Sequence, residues 1–350
     1  MLKPLTSPRI PVALFSRAKH TGYYSMERVL EAVHKSLPPH IDGRIVVSPT
    51  HAQGFWRRLW CATYVATKRS LVNHITGDIS FAALALPGNR TILTVHDFDR
   101  LYSLTGLRAA LFRLIYFELP FRRSRLITAI SPQIAREIEQ LFPWAKPKTV
   151  VIPDCLPAGF RRIPKDFCCE CPTVLQIGTK PNKNLESLVP ALQGLSCELH
   201  VVGPLSEKQR SILRDSGIRY RNSVDLSETD LLKAYGEADI VSFVSTYEGF
   251  GLPILEANAI GRPVLTSDLP PMSEVAGQAA CLANPDDIES IRQGLIRITT
   301  DREYRSWLVE KGYENAARYS ADEIARQFAV WYETIAAEHL CDPQPRFEPI

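Results

Sequence analysis

Short apolar runs rich in β-branched residues recur through the first part of the chain. They read IPVALF (10–15), RIVVS (44–48), SLVNHI (70–75), RTILTVHD (90–97), RLITAIS (125–131) and KTVVIP (148–153). Segments with helical spacing lie between several of them, at 25–37, 107–119 and 131–142. Runs that stay apolar instead of alternating predict strands buried on both faces. Their alternation with helices predicts a parallel sheet covered on both sides.

The rhythm fails over DCLPAGFRRIPKDFCCEC (154–171), which carries two prolines and a glycine and reads as a linker. It restarts with TVLQIG, CELHVVG, IRYRN, DIVSFVS and PVLTS, with helical segments at 184–193, 206–216, 227–237 and 252–260. Beyond about 285 the pattern is almost wholly helical to 338, and the chain ends in a proline-rich stretch. A chain of 350 residues is long for one core. The expected organisation is α/β: two doubly wound, Rossmann-like domains facing across a deep cleft. Residues 1–155 form the first, 156–171 the linker and 172–321 the second, and a helix over about 322–340 can pack back on the first. In such sheets ligands bind outside the C-terminal ends of the strands.

One stretch falls where that rule points, STYEGFGLPILEANAIGRP (245–263). It follows a buried strand, and Pro253 suits the first turn of the next helix. Free amides and the dipole at that helix start favour a phosphate. Gly249 and Gly251 let the backbone approach a ligand closely. Glu256, one turn into the helix, can accept from a vicinal diol such as a ribose, and Glu248 precedes the glycines. The bland reading is a glycine turn with solvated carboxylates. A second rival is the dinucleotide fingerprint G-x-G-x-x-G, of which GFGLPI is a near miss that falls late in its domain.

Charge adds an asymmetry. Residues 1–155 hold 21 Lys and Arg against 10 Asp and Glu, a net of +11, whereas the remainder holds 20 against 28, a net of −8. A basic half implies an anionic partner. No nucleic-acid motif accompanies the charge, so nucleic acid is not expected. FWRRLW (55–60) and LRAALFRLIYFELPFRR (107–123) mix aromatics with arginines. That composition fits an anionic membrane interface, and it equally fits an amphipathic helix packed on a sheet. No apolar run is long enough to span a bilayer, and the first apolar run reads as a strand, not a signal peptide. The eight cysteines form no disulfide framework, and CCEC (168–171) lacks the second ligand pair of a metal site. These features together predict a cytoplasmic protein, peripheral on the cytoplasmic face of a membrane.

The segment YEGFGLPILEANAIGRPVLTS resembles the E-x7-E signature of family 4 glycosyltransferases, retaining enzymes of the GT-B fold. The resemblance continues into DLPPMSEVAGQAACLANPDDIESI and, upstream, into VLQIGTKPNKNLESLVPAL; it is strong over about 173–320 and looser over 10–153. It implies transfer of a hexose from a nucleotide diphosphate sugar to a saccharide or lipid-linked acceptor, in synthesis of a cell-surface polysaccharide or glycolipid. No metal and no cofactor beyond the donor are implied. Carried over residue by residue, Glu248 approaches the transferred sugar and Glu256 the ribose, while Gly249, Phe250, Gly251 and Leu252 offer backbone contacts. Lys183 matches the diphosphate-binding lysine after the glycine Gly178; where an arginine often stands, this chain has Thr179, with Lys180 beside it. His96 resembles a histidine near the donor sugar, and Gly22 resembles a glycine loop over the phosphates. His74 and Asp78, at another strand end, are candidates for the acceptor side. The alternatives are a sugar-nucleotide epimerase or phosphorylase on the same fold, and a non-catalytic nucleotide-sugar-binding partner. A glycosidase using the two carboxylates would flank the bond with acids in an open groove.

Overall fold

The computed structural model describes residues 9–18, 25–52 and 54–340. They form two compact units, one of residues up to Cys155 together with those from Ala321, the other of Leu156–Ser320.

The first unit is built on six parallel strands: β1 (Ile10–Ser16), β2 (Ile41–Val47), β3 (Val72–Ile75), β4 (Thr91–Val95), β5 (Leu126–Ala129) and β6 (Thr149–Val151). Their order is β2-β1-β3-β4-β5-β6, so the direction of winding reverses between β1 and β3. β3 and β4 are buried along their whole length, as strands covered on both faces must be. The windows 25–37 and 131–142 become helices Ser25–Lys35 and Pro132–Leu141; Ser131 caps the latter by accepting from the Ile134 amide at 3.2 Å. The window 107–119 becomes helix Gly106–Arg113 running into a π turn, Leu114–Glu118. Helix Phe55–Thr67 fills the gap before β3.

The C-terminal helix, Ala321–Leu340, belongs to this first unit. Its anchor is Tyr332, whose hydroxyl lies 2.7 Å from His74 Nδ1. His74 Nε2 lies 2.7 Å from the Thr94 hydroxyl, which in turn meets that of Thr128 at 2.7 Å. A hydroxyl either donates or accepts, so this chain satisfies a neutral imidazole in either tautomer. It offers no counter-charge to an imidazolium. Burial, with a smaller contribution from nearby His96, lowers the His74 pKa from 6.5 to about 3.

The second unit has six further parallel strands: β7 (Thr173–Ile177), β8 (Glu198–Val202), β9 (Arg219–Ser223), β10 (Ile240–Phe243), β11 (Val264–Ser267) and β12 (Cys281–Ala283). The order β12-β11-β10-β7-β8-β9 is the doubly wound arrangement, with its reversal between β7 and β10. β12 is too short, at three residues, to stand out in the apolar pattern. Helix Leu252–Ile260 is buried from Ile254 to Ile260, so its N-terminus is the end left accessible. A helix apolar all round is expected to be buried all round.

The stretch 156–171, expected as a linker, is instead fastened to the second unit. The Ile163 amide donates to Ile260 O at 3.1 Å, and Arg262 donates back to Ile163 O at 3.0 Å. The cause is the buried Asp239 carboxylate, which needs partners. It accepts from the amides of Cys168 at 3.0 Å and Thr173 at 2.8 Å, and pairs with Lys165.

The His74 contacts carry a pH dependence. Its folded pKa lies below the unfolded value, so its stabilisation is complete above pH 6.5 and is lost as pH falls toward 3. The slope for one group is at most about 1.4 kcal/mol per pH unit. Urea unfolding of the wild type and of His74→Gln between pH 7 and 4 should therefore converge as pH falls, the wild type losing more stability. Parallel curves would remove this assignment.

Candidate functional site

At the reversal point of the second sheet, between β7 and β10, the chain winds to opposite faces, and this is the place where doubly wound sheets bind their ligands. The loops that leave the two strands are laced together. The Thr246 amide donates to Asn182 O at 2.9 Å, and Asn182 Nδ2 donates to Tyr247 O at 2.9 Å and to Glu248 Oε1 at 3.2 Å. Asn184, in a left-handed conformation at φ 59°, donates to Val244 O at 3.1 Å and to Pro285 O at 2.7 Å. Asparagine tolerates that conformation better than most residues.

Across this lacing runs an ion pair, with Lys183 Nζ 2.6 Å from Glu248 Oε1. Their side chains are only 18% and 15% exposed, so the charges are poorly screened. Lys183 Nζ also sits 4.6 Å from the centroid of the Phe243 ring, at the end of β10. Gly178 explains how the lysine gets there. Its φ of +86° turns the chain, and a Cβ in its place would stand 3.1 Å from the Lys183 stem. Gly251, at φ +121°, makes the corresponding turn into helix Leu252–Ile260. Phe250 is buried edge-on against Tyr319, 5.6 Å between centroids, so only its backbone is available to a ligand.

Glu256 is the one ionisable residue in its helix and is 5% exposed. The Tyr235 hydroxyl donates to its Oε2 at 2.6 Å, and Tyr235 is itself fully buried against Phe160. A buried carboxylate requires such donors. Tyr235 escapes sequence reading because it occupies an ordinary core position of helix Glu228–Glu237.

Thr179 stands apart from these residues. Its hydroxyl donates to Pro204 O at 2.5 Å, and its own carbonyl accepts from Gln209 at 2.8 Å. Its side chain thus braces the β8 exit, so the expected donor contact is not offered by the hydroxyl. The structure brings together Gly178, Lys183 and Glu248, with Gly249, Phe250, Gly251, Leu252 and Glu256 following directly along the chain.

In the first unit, His96 Nε2 donates to Thr76 O at 2.9 Å, which leaves Nδ1 facing Asp154 Oδ2 at 4.0 Å. Burial raises the Asp154 pKa and His96 opposes the rise. Both line a recess of about 400 Å³ with Met26, Val29, Ile324 and Phe328. Asp78 accepts from Arg17 at 2.9 Å, at the β1–β3 reversal, and Arg17 also bonds Glu27 at 2.9 Å. Burial disfavours the Arg17 charge, but the bonds to Glu27 and Asp78 outweigh it and its pKa ends raised. His74, expected on the acceptor side, is 2% exposed and bonded at both ring nitrogens, so it holds the C-terminal helix instead. Gly22 lies outside the described residues. Among the described residues no three potential metal ligands are gathered.

The family described as "Glycosyl transferases group 1" matches residues 171–301, most of the second unit. An O-antigen chain mannosyltransferase B of Escherichia coli is 30% identical over 245 residues, 61% of this chain and 63% of that protein. A serotype-specific mannosyltransferase, WbdA of Escherichia coli, is 26% identical over 229 residues, 57% of this chain and 28% of that protein. The match thus spans less than two thirds of either relative. Among solved structures, sucrose-phosphate synthase from Thermosynechococcus elongatus superposes with a TM-score of 0.73 at 19% identity, covering 94% of this chain and all of that one. Anabaena Alr3699/HepE in complex with UDP-glucose gives 0.71 at 14% identity, covering 92% of this chain and 99% of that one. The likeness is one of fold: the two six-stranded parallel sheets with flanking helices are those of the two-domain α/β GT-B fold.

The Gly178 contact is separable from backbone strain. Gly217 has a similar φ of +69° but open space around its Cβ position. Gly217→Ala should cost about 1 kcal/mol, the strain alone. Gly178→Ala should cost measurably more in urea unfolding, because the Lys183 stem must shift. Equal costs would show that Gly178 does not hold the lysine in place.

Proposed function

We propose that the chain is a retaining, metal-independent glycosyltransferase of the family 4 type. It moves a hexose from a nucleotide diphosphate sugar to a saccharide or lipid-linked hydroxyl, in synthesis of a cell-surface polysaccharide or glycolipid. The observation that carries the reading is the arrangement at the β7–β10 reversal. There a lysine–glutamate pair is followed directly along the chain by a glycine turn into a buried helix and one buried glutamate. The names of the relatives, an O-antigen chain mannosyltransferase and a serotype-specific mannosyltransferase, support the polysaccharide setting and make mannose the first hexose to test. The UDP-glucose held by the Anabaena protein supports the donor class.

In this reading the diphosphate lies at the start of helix Leu252–Ile260, met by the helix dipole. Gly249 and Gly251 leave room for the phosphates, and Lys183 turns from Glu248 to them. Glu248, released from the lysine, takes hydroxyls of the transferred sugar. Glu256 accepts from the ribose diol. The bond from the anomeric carbon to the phosphate oxygen breaks as a bond to the acceptor oxygen forms on the same face. The acceptor proton passes to the leaving phosphate oxygen, so no side chain is assigned as general base. Lys180 is a further cation for the diphosphate. A lipid-linked acceptor also places the enzyme on the cytoplasmic face of a membrane.

A panel of nucleotide sugars tests this by thermal shift. The true donor at a hundred times its Kd should add about 2.7 kcal/mol and raise Tm by a few degrees. Glu256→Ala should weaken nucleotide binding about tenfold to a hundredfold, the loss of charged hydrogen bonds. Glu248→Ala should leave nucleotide binding near wild type, because Lys183 is then unpaired, and should chiefly lower kcat. A flat response to every nucleotide sugar, or wild-type kcat/KM in both variants, would overturn the assignment.

A further inference from the structure

Glu256 poses a question that stability does not answer. It is buried, and it is the one ionisable residue of its helix. A buried charge costs desolvation, and apolar residues of similar volume often serve a core as well or better. Stability alone gives no reason to keep Glu256, nor the Tyr235 hydroxyl that serves it.

Tyr235 is fastened on several sides. Its ring meets that of Phe160 edge-on, with 5.5 Å between centroids and 88° between planes. Its carbonyl accepts from Arg262 Nε at 3.2 Å, and the next carbonyl, of Gly236, accepts from Arg262 Nη2 at 2.7 Å. Arg262 is itself buried, and its Nη1 donates to Ile163 O at 3.0 Å and to Gly261 O at 3.2 Å. One guanidinium thus ties together the end of helix Glu228–Glu237, the end of helix Leu252–Ile260 and the stretch around Ile163. Five donors in a rigid fork suit such a junction. At the tip of the ring so held, the Tyr235 hydroxyl donates to Glu256 Oε2 at 2.6 Å, the range of a hydroxyl on a carboxylate.

A glutamate side chain has several rotatable bonds, and fixing them as a ligand binds costs affinity. A carboxylate held in advance meets its ligand without that cost. It accepts about four hydrogen bonds, so one from Tyr235 is compatible with two from a diol. We propose that Tyr235 is a positioning residue. It fixes Glu256 in the orientation that recognises ribose, and so sets a preference for ribonucleotides over 2′-deoxyribonucleotides. Phe160 and Ile163, in the stretch expected as a linker, are the outer support of the same clamp. This role rests on the reading of Glu256 as the ribose ligand.

Calorimetric titration of the full chain with UDP and GDP, and with their 2′-deoxy counterparts, tests it. Wild type should bind the ribonucleotide it prefers about tenfold more tightly than the 2′-deoxy form, or better. Tyr235→Phe keeps the ring and removes only the hydroxyl, and it should cut that ratio about threefold or more. Loosened packing alone would weaken both nucleotides equally and leave the ratio unchanged. In a Glu256→Ala background the ratio should already be near one, and Tyr235→Phe should not change it further. Phe160→Leu keeps the hydroxyl and loosens the ring, so it should lower the ratio about twofold; it carries the test where Tyr235→Phe does not fold. No nucleotide binding, or a wild-type ratio near one, would remove the ribose reading and this role with it. A wild-type ratio that persists in Tyr235→Phe and Phe160→Leu would overturn the role of Tyr235 alone and leave Glu256 on the ribose.

Discussion

Where strand order reverses, two neighbouring strands send their chains to opposite faces of the sheet, and no covering helix can close the gap at their ends. In the second unit that gap lies between β7 and β10, and polar loops held by Asn182, Asn184 and the Lys183–Glu248 pair rim it. The pair is shielded enough for its desolvation cost to offset much of its attraction. Such a pair adds little to net stability, while removing one partner leaves the other stranded. A pair of this kind suits exchange of partners, provided that each charge released from it meets a new partner. The glycines on both sides follow from the same constraint. Gly178 makes room for the lysine stem, and Gly251, at φ +121°, turns the chain into helix Leu252–Ile260.

Two parallel, doubly wound units were legible in the sequence because strands covered on both faces are apolar throughout. The turn between β10 and its helix was legible because glycine, proline and a lone charge in an apolar helix mark it. Tyr235, Asp154 and Arg17 were not. Each is an ordinary residue whose partner, Glu256, His96 or Asp78, lies 21 to 61 residues away. Only the pairing of strands brings these partners together. The stretch 156–171 misleads for the opposite reason. Its composition is that of a linker, and one buried carboxylate, Asp239, fixes it in place.

The first unit shows how local chemistry and placement part company. His74 and His96 both follow apolar runs, and sequence treats them alike. Packing separates them: His74, bonded at both ring nitrogens, braces the C-terminal helix, while His96 keeps one ring nitrogen toward Asp154, and both line the same recess. Phe55, Trp56 and Trp60 are the reverse case, apolar residues that the fold declines to bury.

A crystal structure of the chain grown with a nucleotide diphosphate tests the central claim most directly. The account predicts ribose hydroxyls within hydrogen-bonding distance of Glu256, phosphates against the amides at the start of helix Leu252–Ile260, and Lys183 Nζ moved from Glu248 to a phosphate oxygen. A nucleotide bound elsewhere, with the Lys183–Glu248 pair intact and Glu256 out of contact, would contradict it.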